Sequence, residues 1–119
     1  MSTTEKVYDL LICKDVLEHI TVDDIPGVLQ SFRKKSNQFF FTIPLGDYDR
    51  FRIREYEVDV THVTKKDEEW WINMFRQEGF TLKEFSYSLG SIKEKWLRDF
   101  PYGNGFFFLE SDSDITGTW

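Results

Sequence analysis

The chain has 119 residues, of which 40% are hydrophobic and 18% aromatic, which favours one globular domain over a disordered acidic chain. Its formal net charge of -6 repels a phosphate backbone, so nucleic acid is an unfavourable partner. The apolar runs are shorter than the roughly 20 residues that cross a bilayer, so we expect no membrane segment. The amino terminus lacks the features of a signal peptide and Cys13 is the only cysteine, so we expect a cytoplasmic location.

The first half of the chain predicts a strand, a helix and a second strand. Val7 to Cys13 is a nearly continuous apolar run, typical of a strand covered on both faces in a parallel sheet. Ile25 to Lys35 has apolar residues at helical spacing, with Pro26 in the first turn. Gln38 to Leu45 is a second apolar run. Strand, helix and strand in this order form a right-handed crossover unit.

A loop and a second helix follow. Residues 46–63 mix aromatic, basic and acidic side chains without a long period, and we interpret them mainly as an ordered loop that has room for a short strand. Thr64 is the predicted N-cap of a helix that runs to Glu78 and stops at Gly79. Trp71 lies on the predicted buried face of this helix.

The last part of the chain predicts two strands around a short helix. Phe80 to Leu89 alternates imperfectly, as a strand near a sheet edge does. Ser91 and Glu94 form the capping-box pattern of a short helix. Phe106 to Leu109 is the last predicted strand, and residues 111–119 are a loose tail of a single domain, 1–119.

This order of segments resembles the carboxyl-terminal half of class I S-adenosylmethionine-dependent methyltransferases. The resemblance covers about residues 7 to 110 and is carried by YDLLICKDVLEHI, PGVLQSFRKK, FFFTIPL, HVTKKDEEWWINMFRQEGF and GNGFFFLE. It implies an α/β fold with a partial Rossmann-like methyltransferase sheet of about four strands, the last one antiparallel, with flanking helices. It also implies S-adenosylmethionine as cofactor and methyl transfer to a small-molecule or sugar-like acceptor.

Two parts of the family's cofactor site are absent from the sequence. The seven glycines never form the glycine-rich motif G-x-G-x-G, and no second-strand acid for the ribose precedes the first predicted strand. We therefore expect a truncated or split methyltransferase that is inactive alone. Because Val7 to Cys13 would lie at a sheet edge, we expect it to pair with a second copy, giving a homo-oligomer, or with an amino-terminal half. The alternative is a non-catalytic oligomerising or partner-binding module that uses the same edge.

The turn after the first predicted strand holds the candidate catalytic and cofactor-binding residues. Ligand sites in open α/β sheets lie at the carboxyl ends of strands. By resemblance, Lys14, Asp15 and Val16 border the cofactor, and His19 or Asp15 acts as the general base. The alternative is that Asp15 caps a helical turn, Glu18 is solvated and His19 forms a structural hydrogen bond.

The loop after the second strand holds the candidate acceptor-binding residues. Tyr48, Arg50, Arg54 and His62 are able to clamp an anionic or planar acceptor. The alternative is that the arginines pair with neighbouring acids on a wet surface and that His62 fixes the entry of the next helix. The two histidines lie 43 positions apart and offer no recognised zinc spacing, so we expect no metal site. We interpret Cys13 as an inert core thiol.

Overall fold

The computed structural model of the chain describes residues 7–112. The α-helices are α1 (Ile25–Arg33), α2 (Glu68–Gln77) and α3 (Glu94–Leu97). The strands are β1 (Leu11–Lys14), β2 (Gln38–Pro44), β3 (Gly46–Asp47), β4 (Arg50–Phe51), β5 (Phe80–Ser86) and β6 (Asn104–Ser111). Two short 3-10 helices cover Leu17–His19 and Arg54–Val58.

Four of the strands form one sheet with the order β1-β2-β6-β5. β1 and β2 are parallel, and β6 lies antiparallel between β2 and β5. The expected α/β fold, with about four strands and an antiparallel last strand, is confirmed. The strand after α2 lies at the far edge of the sheet, as its imperfect alternation predicts. β3 and β4 form a separate small hairpin within the segment interpreted as a loop.

The main core lies between one face of this sheet and the helices α1 and α2. Leu29 of α1 and Trp71 and Phe75 of α2 are fully buried, because the apolar side chains of each helix recur on one face. On the sheet side, Phe41 packs with its ring centre 5.4 Å from that of Phe75. Cys13 of β1 belongs to the same cluster. The helices α1 and α2 therefore cover one face of the sheet, and β1 lies at one edge of it.

The first strand differs from its prediction. β1 is limited to Leu11–Lys14, and only its Cys13 side chain is buried. Ile12 is 61% exposed and Val7 is 69% exposed. The expectation of a strand from Val7 to Cys13 with both faces covered was therefore wrong for the described chain. The physical reason is the sheet order, because an edge strand has a neighbour on one side only and the helices cover one face.

The helix starts also differ from their predictions. Asp67, and not Thr64, is the N-cap of α2, and its carboxylate accepts a hydrogen bond from the Trp70 N–H. The predicted capping box at Ser91 does not form, because α3 begins after Lys93 with a left-handed backbone and no side-chain cap. α2 ends close to Gly79, whose φ of 91° suits glycine.

The carboxyl-terminal strand is longer than predicted, because β6 extends to Ser111. The predicted loose tail lies otherwise almost entirely outside the described residues, at 113–119, as does the amino-terminal segment 1–6. Within residues 7–112 the longest helix is α2, and none has the length and apolarity that a membrane crossing requires. The cytoplasmic location stays a prediction.

Candidate functional site

The turn after β1 is tied to the segment that precedes α2. The backbone carbonyl of Glu18 accepts hydrogen bonds from the N–H groups of Val63 and Thr64, at 2.9 and 3.0 Å. The buried Thr64 hydroxyl donates to the carbonyl of Ile20 at 2.5 Å. These three bonds bring residues that are far apart in sequence to the carboxyl end of the parallel strand pair.

The same contacts bring the two histidines together. The ring centres of His19 and His62 lie 4.6 Å apart. Nδ1 of His19 lies 3.1 Å from the backbone oxygen of Thr61, and Nδ1 of His62 lies 2.7 Å from that of Tyr56. His19, the predicted general base, therefore shares one site with His62, the predicted acceptor-binding residue.

Glu18 lies in this site as a buried acid. Its side chain is 1% exposed, and burial raises the pKa of its carboxyl group. Oε2 lies 3.7 Å from Nε2 of His19, while Oε1 has no hydrogen-bond partner among the described residues. The expectation that Glu18 is solvated was wrong, because the 3-10 helix turns the Glu18 side chain inward beside the buried Leu17.

Asp15 faces a second polar cluster. Its Oδ1 accepts a hydrogen bond from the Thr42 hydroxyl at 3.2 Å and forms an ion pair with Nζ of Lys93 at 2.5 Å. Lys93 also donates to Oδ1 of Asn104 at 2.9 Å. Asp15 does not accept from the backbone as a helix cap, since the 3-10 helix has Val16 at its N-cap and no side-chain bond there.

Tyr56 connects the two clusters. Its ring packs edge-on against His62, with the ring centres 5.7 Å apart, and its hydroxyl lies 3.3 Å from Nζ of Lys93. Burial, together with the negative charge of Asp15, raises the pKa of the Tyr56 hydroxyl to about 12. Tyr56 therefore stays a neutral hydroxyl at physiological pH, able to donate or accept a hydrogen bond.

The other predicted site residues lie outside this cluster. Lys14 and Val16 are exposed beside the free margin of β1. Tyr48 is fully exposed at the turn between β3 and β4, and Arg50 and Arg54 are also exposed. Of the predicted acceptor-binding residues, the structure brings only His62 next to a predicted catalytic residue.

One residue of the site escaped the sequence interpretation, and the burial of a second was not foreseen. Lys93 lies 78 positions from Asp15, and no spacing rule connects a lysine at the start of a short helix with a distant aspartate. Glu18 looked like a surface acid because it stands in an acidic turn. The only signal was the apolar Leu17 directly before it, which places the turn against the core.

Cys13 is buried in the core, and its thiol is a poor candidate for a nucleophile. Burial, with the nearby charges of Glu18 and Asp15, raises the pKa of its thiol to about 12. A thiol that stays protonated at neutral pH is unreactive. This agrees with its interpretation as an inert core residue.

Comparison with known proteins identifies the fold. No family model matches the sequence, and no curated protein is similar to it in sequence. A SAM-dependent methyltransferase from Archaeoglobus fulgidus superimposes with a TM-score of 0.60 and 11% identity, over 91% of this chain and 61% of that chain. The mitomycin 7-O-methyltransferase MmcR gives a TM-score of 0.62 and 14% identity, over 93% of this chain and 32% of that one.

A third neighbour is described as a pericyclic reaction enzyme, with a TM-score of 0.64 and 10% identity, over 90% of this chain and 27% of that chain. The chain thus spans less than two thirds of the length of each of these three structures. Identities this low show the fold and not the reaction, as the third neighbour illustrates. The described residues have the fold of part of a SAM-dependent methyltransferase, which fits the carboxyl-terminal half of the class I architecture.

Proposed function

We propose that this chain forms the acceptor side of a site that transfers a methyl group from S-adenosylmethionine to a small-molecule or sugar-like acceptor. The observation that carries the proposal is the position of Asp15 and His19 directly after β1, at the carboxyl end of the parallel pair β1 and β2. Open α/β sheets bind ligands at this end. Two of the three neighbours described above are named as methyltransferases, which adds support.

His19 is the better of the two candidates for the proton acceptor. S-adenosylmethionine would supply a methyl group on a positively charged sulfur, which departs as a neutral thioether. A hydroxyl of the acceptor forms the new bond to the methyl carbon and gives its proton to Nε2 of His19. The His19 side chain is 35% exposed, so the imidazolium returns its proton to solvent.

Asp15 suits a positioning role. Its Oδ1 already accepts from Lys93 and Thr42, so this oxygen is poorly placed to take up a further proton. His62 lies beside His19 and would contact the acceptor directly. Tyr48, Arg50 and Arg54 would contact only an acceptor that extends over the surface hairpin.

The residues that would hold the cofactor form one wall of a site. Lys14 and Asp15 line an open depression at the end of β1 together with Lys93 and Tyr56, and Val16 follows them in the chain. Within residues 7–112 no glycine-rich loop faces them, so these residues fit only the methionine end of the cofactor. We therefore propose that the opposite wall comes from an amino-terminal half that pairs with the free margin of β1.

Calorimetry with S-adenosylmethionine tests this arrangement. The 119-residue chain should show no saturable binding, whereas the chain joined to an amino-terminal half that carries the glycine-rich motif should bind in the micromolar range. Saturable binding by the 119-residue chain would contradict the need for a second wall. Failure of the longer polypeptide to bind would contradict the proposed function itself.

Kinetics with the longer polypeptide test the role of His19. His19→Gln should lower kcat by about 10²- to 10⁴-fold with little change in KM for the cofactor. Asp23→Asn, at an exposed acid in the next turn, is the matched control and should leave kcat unchanged. Equal kcat values for His19→Gln and the control would remove His19 from the mechanism.

An assembly module is the second candidate function, and the exposure of Ile12 and Val7 at the margin of β1 favours it. Light scattering of the 119-residue chain separates the two candidates. A stable homo-oligomer that never binds S-adenosylmethionine, alone or in the longer polypeptide, would support the module. A dilute, stable monomer would contradict self-association through β1.

A further inference from the structure

Glu18, His19 and His62 form a cluster whose chemistry extends beyond proton transfer. We propose that these three side chains bind a divalent first-row transition-metal ion such as Zn²⁺ or Co²⁺. One ligand atom from each residue lies within 4.8 Å of the other two. The proposal does not rest on the proposed function, because the cluster would bind an ion whether or not the chain transfers methyl groups.

Hydrogen bonds determine which nitrogen of each imidazole is available to a metal. The Thr61 hydroxyl donates to Oδ1 of Asp59 at 2.6 Å, so its oxygen can only accept from Nδ1 of His19, at 3.0 Å. Nδ1 of His62 faces the Tyr56 carbonyl, which also only accepts. In the neutral form, both rings therefore carry the proton on Nδ1 and present the lone pair of Nε2. Metal-binding histidines are held in this way by a carbonyl or carboxylate behind the ring.

The buried carboxylate of Glu18 completes the set. Its Oε1 has no hydrogen-bond partner within residues 7–112, and a buried polar atom without a partner is costly. Oε2 lies 3.7 Å from Nε2 of His19, which is too long for a hydrogen bond. Two ligand atoms of one tetrahedral zinc ion lie about 3.4 Å apart, close to this separation.

The donor set indicates the class of ion. Imidazole suits zinc, copper, iron and nickel, and Co²⁺ lies between iron and nickel in the affinity series of divalent metals, whereas Mg²⁺ prefers a shell made of oxygen. The ligand atoms lie up to 4.8 Å apart, so they must draw together by roughly 1.4 Å when the ion binds. Three protein ligands leave at least one position open to water or a substrate, as in catalytic sites.

The expectation of no metal site rested on the linear spacing of the histidines, and this proposal departs from it. The hydrogen bonds from Val63 and Thr64 to the Glu18 carbonyl close the 43-position gap between His19 and His62. With an ion on Nε2, His19 no longer accepts a proton. The ion would instead bind the acceptor oxygen and lower the pKa of its hydroxyl, which would then lose its proton to water.

Titration of the full 119-residue chain tests the site. Calorimetry with Zn²⁺ should show one saturable micromolar site, Co²⁺ should develop visible absorption bands, and Mg²⁺ should bind more weakly. Glu18→Gln and His62→Gln should each weaken Zn²⁺ binding by at least about tenfold. Glu69→Gln, at an exposed carboxylate of α2, is the matched control and should bind as the parent does. Equal affinities in all four proteins, or no saturable binding by the parent, would overturn the proposal.

Nitrogen NMR of the parent chain keeps the test decisive if a variant fails to fold. Zn²⁺ should shift the Nε2 resonances of both histidines and leave their Nδ1–H resonances in place. A spectrum that Zn²⁺ leaves unchanged, or a shift at Nδ1 alone, would refute binding in the proposed geometry. These measurements require no methyl transfer, so they can succeed even where the proposed function fails.

Discussion

Lys93 holds Asp15 across 78 positions of the sequence, with Nζ of Lys93 2.5 Å from Oδ1 of Asp15 and the lysine side chain only 8% exposed. Both residues have a left-handed backbone, with φ values of 56° and 55°. This conformation costs a non-glycine residue about 1 kcal/mol or more. The ion pair therefore fixes the turn after β1 to the start of α3 against the local preference of both backbones.

Removing the lysine charge should destabilise the chain. Lys93→Met leaves Asp15 and Asn104 without their shared donor, and we expect a loss of about 1–2 kcal/mol in the free energy of unfolding. Urea denaturation measures this loss. Lys95→Met, at an exposed position of the same helix, is the control and should stay within about 0.5 kcal/mol of the parent.

Lys93→Gly distinguishes the effect of the lysine charge on stability from the effect of the strained backbone. It removes the same ion pair, but glycine adopts a positive φ without strain, so we expect it to be less destabilising than Lys93→Met by about 1 kcal/mol. The same urea measurement applies. If the glycine variant were the less stable of the two, the backbone at residue 93 would not be strained.

Glu68 of α2 forms an ion pair with Arg52, with 2.7 Å between Oε1 and Nη2, and accepts a hydrogen bond from the Tyr87 hydroxyl. These contacts should make stability depend on pH in the acid range. Burial raises the pKa of Glu68, but hydrogen bonds from Arg52 and Tyr87 outweigh this and lower it to about 2. A carboxyl group whose pKa is lower in the folded chain stabilises the fold above its unfolded pKa, about 4.5. That contribution should disappear as the pH falls from about 4.5 to about 2.

After allowance for screening by solvent, we expect Glu68 to contribute about 1 kcal/mol at neutral pH. Urea denaturation between pH 2 and 6 measures it, and Glu68→Gln should flatten the pH dependence in that range. Glu69→Gln changes the neighbouring acid of the same helical turn and should retain the slope of the parent. Identical slopes for both variants would contradict the role of Glu68.

The observed cap of α2 and the predicted cap of α3 should respond differently to mutation. Asp67 accepts the Trp70 N–H at 2.9 Å, so Asp67→Ala should cost about 1 kcal/mol of stability. Ser91 forms no side-chain cap, so Ser91→Ala should be neutral. Thermal unfolding compares the two variants. A large loss of stability for Ser91→Ala would indicate that the capping box predicted from the sequence does form.

The free margin of β1 can be tested with a charge. Ile12 is 61% exposed, so Ile12→Lys should change the stability of the lone chain by no more than about 0.5 kcal/mol. A charge at this margin should oppose strand pairing, and we expect at least tenfold weaker association with a second chain or an amino-terminal half. Val60→Lys, at an exposed loop position, is the control for added charge. Equal association of the two variants, measured by analytical ultracentrifugation, would contradict pairing through β1.

Apolar runs and helical periodicity in the sequence correctly predicted the elements whose placement depends on burying their own apolar side chains. The apolar run of β2 and the one-sided helices α1 and α2 bury the residues that their periodicity indicates, because burial dominates their placement. The start of α2 was misplaced because Thr64 has the chemistry of a cap but uses its hydroxyl to bond Ile20. Thr64 and Asp67 both have the chemistry of an N-cap, and the bond from Thr64 to Ile20 leaves Asp67 to cap α2.

The candidate site was only half predictable for the same reason. Asp15 and His19 follow a strand end, which is a local signal. Lys93, Tyr56 and the pairing of His19 with His62 depend on contacts between segments that are distant in sequence, and no period or spacing encodes such contacts. The exposure of Ile12 depends on what lies beyond the sheet edge, which composition alone does not specify.

The two N–H groups that bind the Glu18 carbonyl have a mechanical consequence. His62 is carried by the same stretch of chain as Val63 and Thr64, so lifting that stretch would separate the histidines and break both backbone bonds. That stretch therefore cannot swing open to admit a molecule without separating the two histidines. The His19 side chain is 35% exposed, so the solvent side of His19 is the open approach to the site.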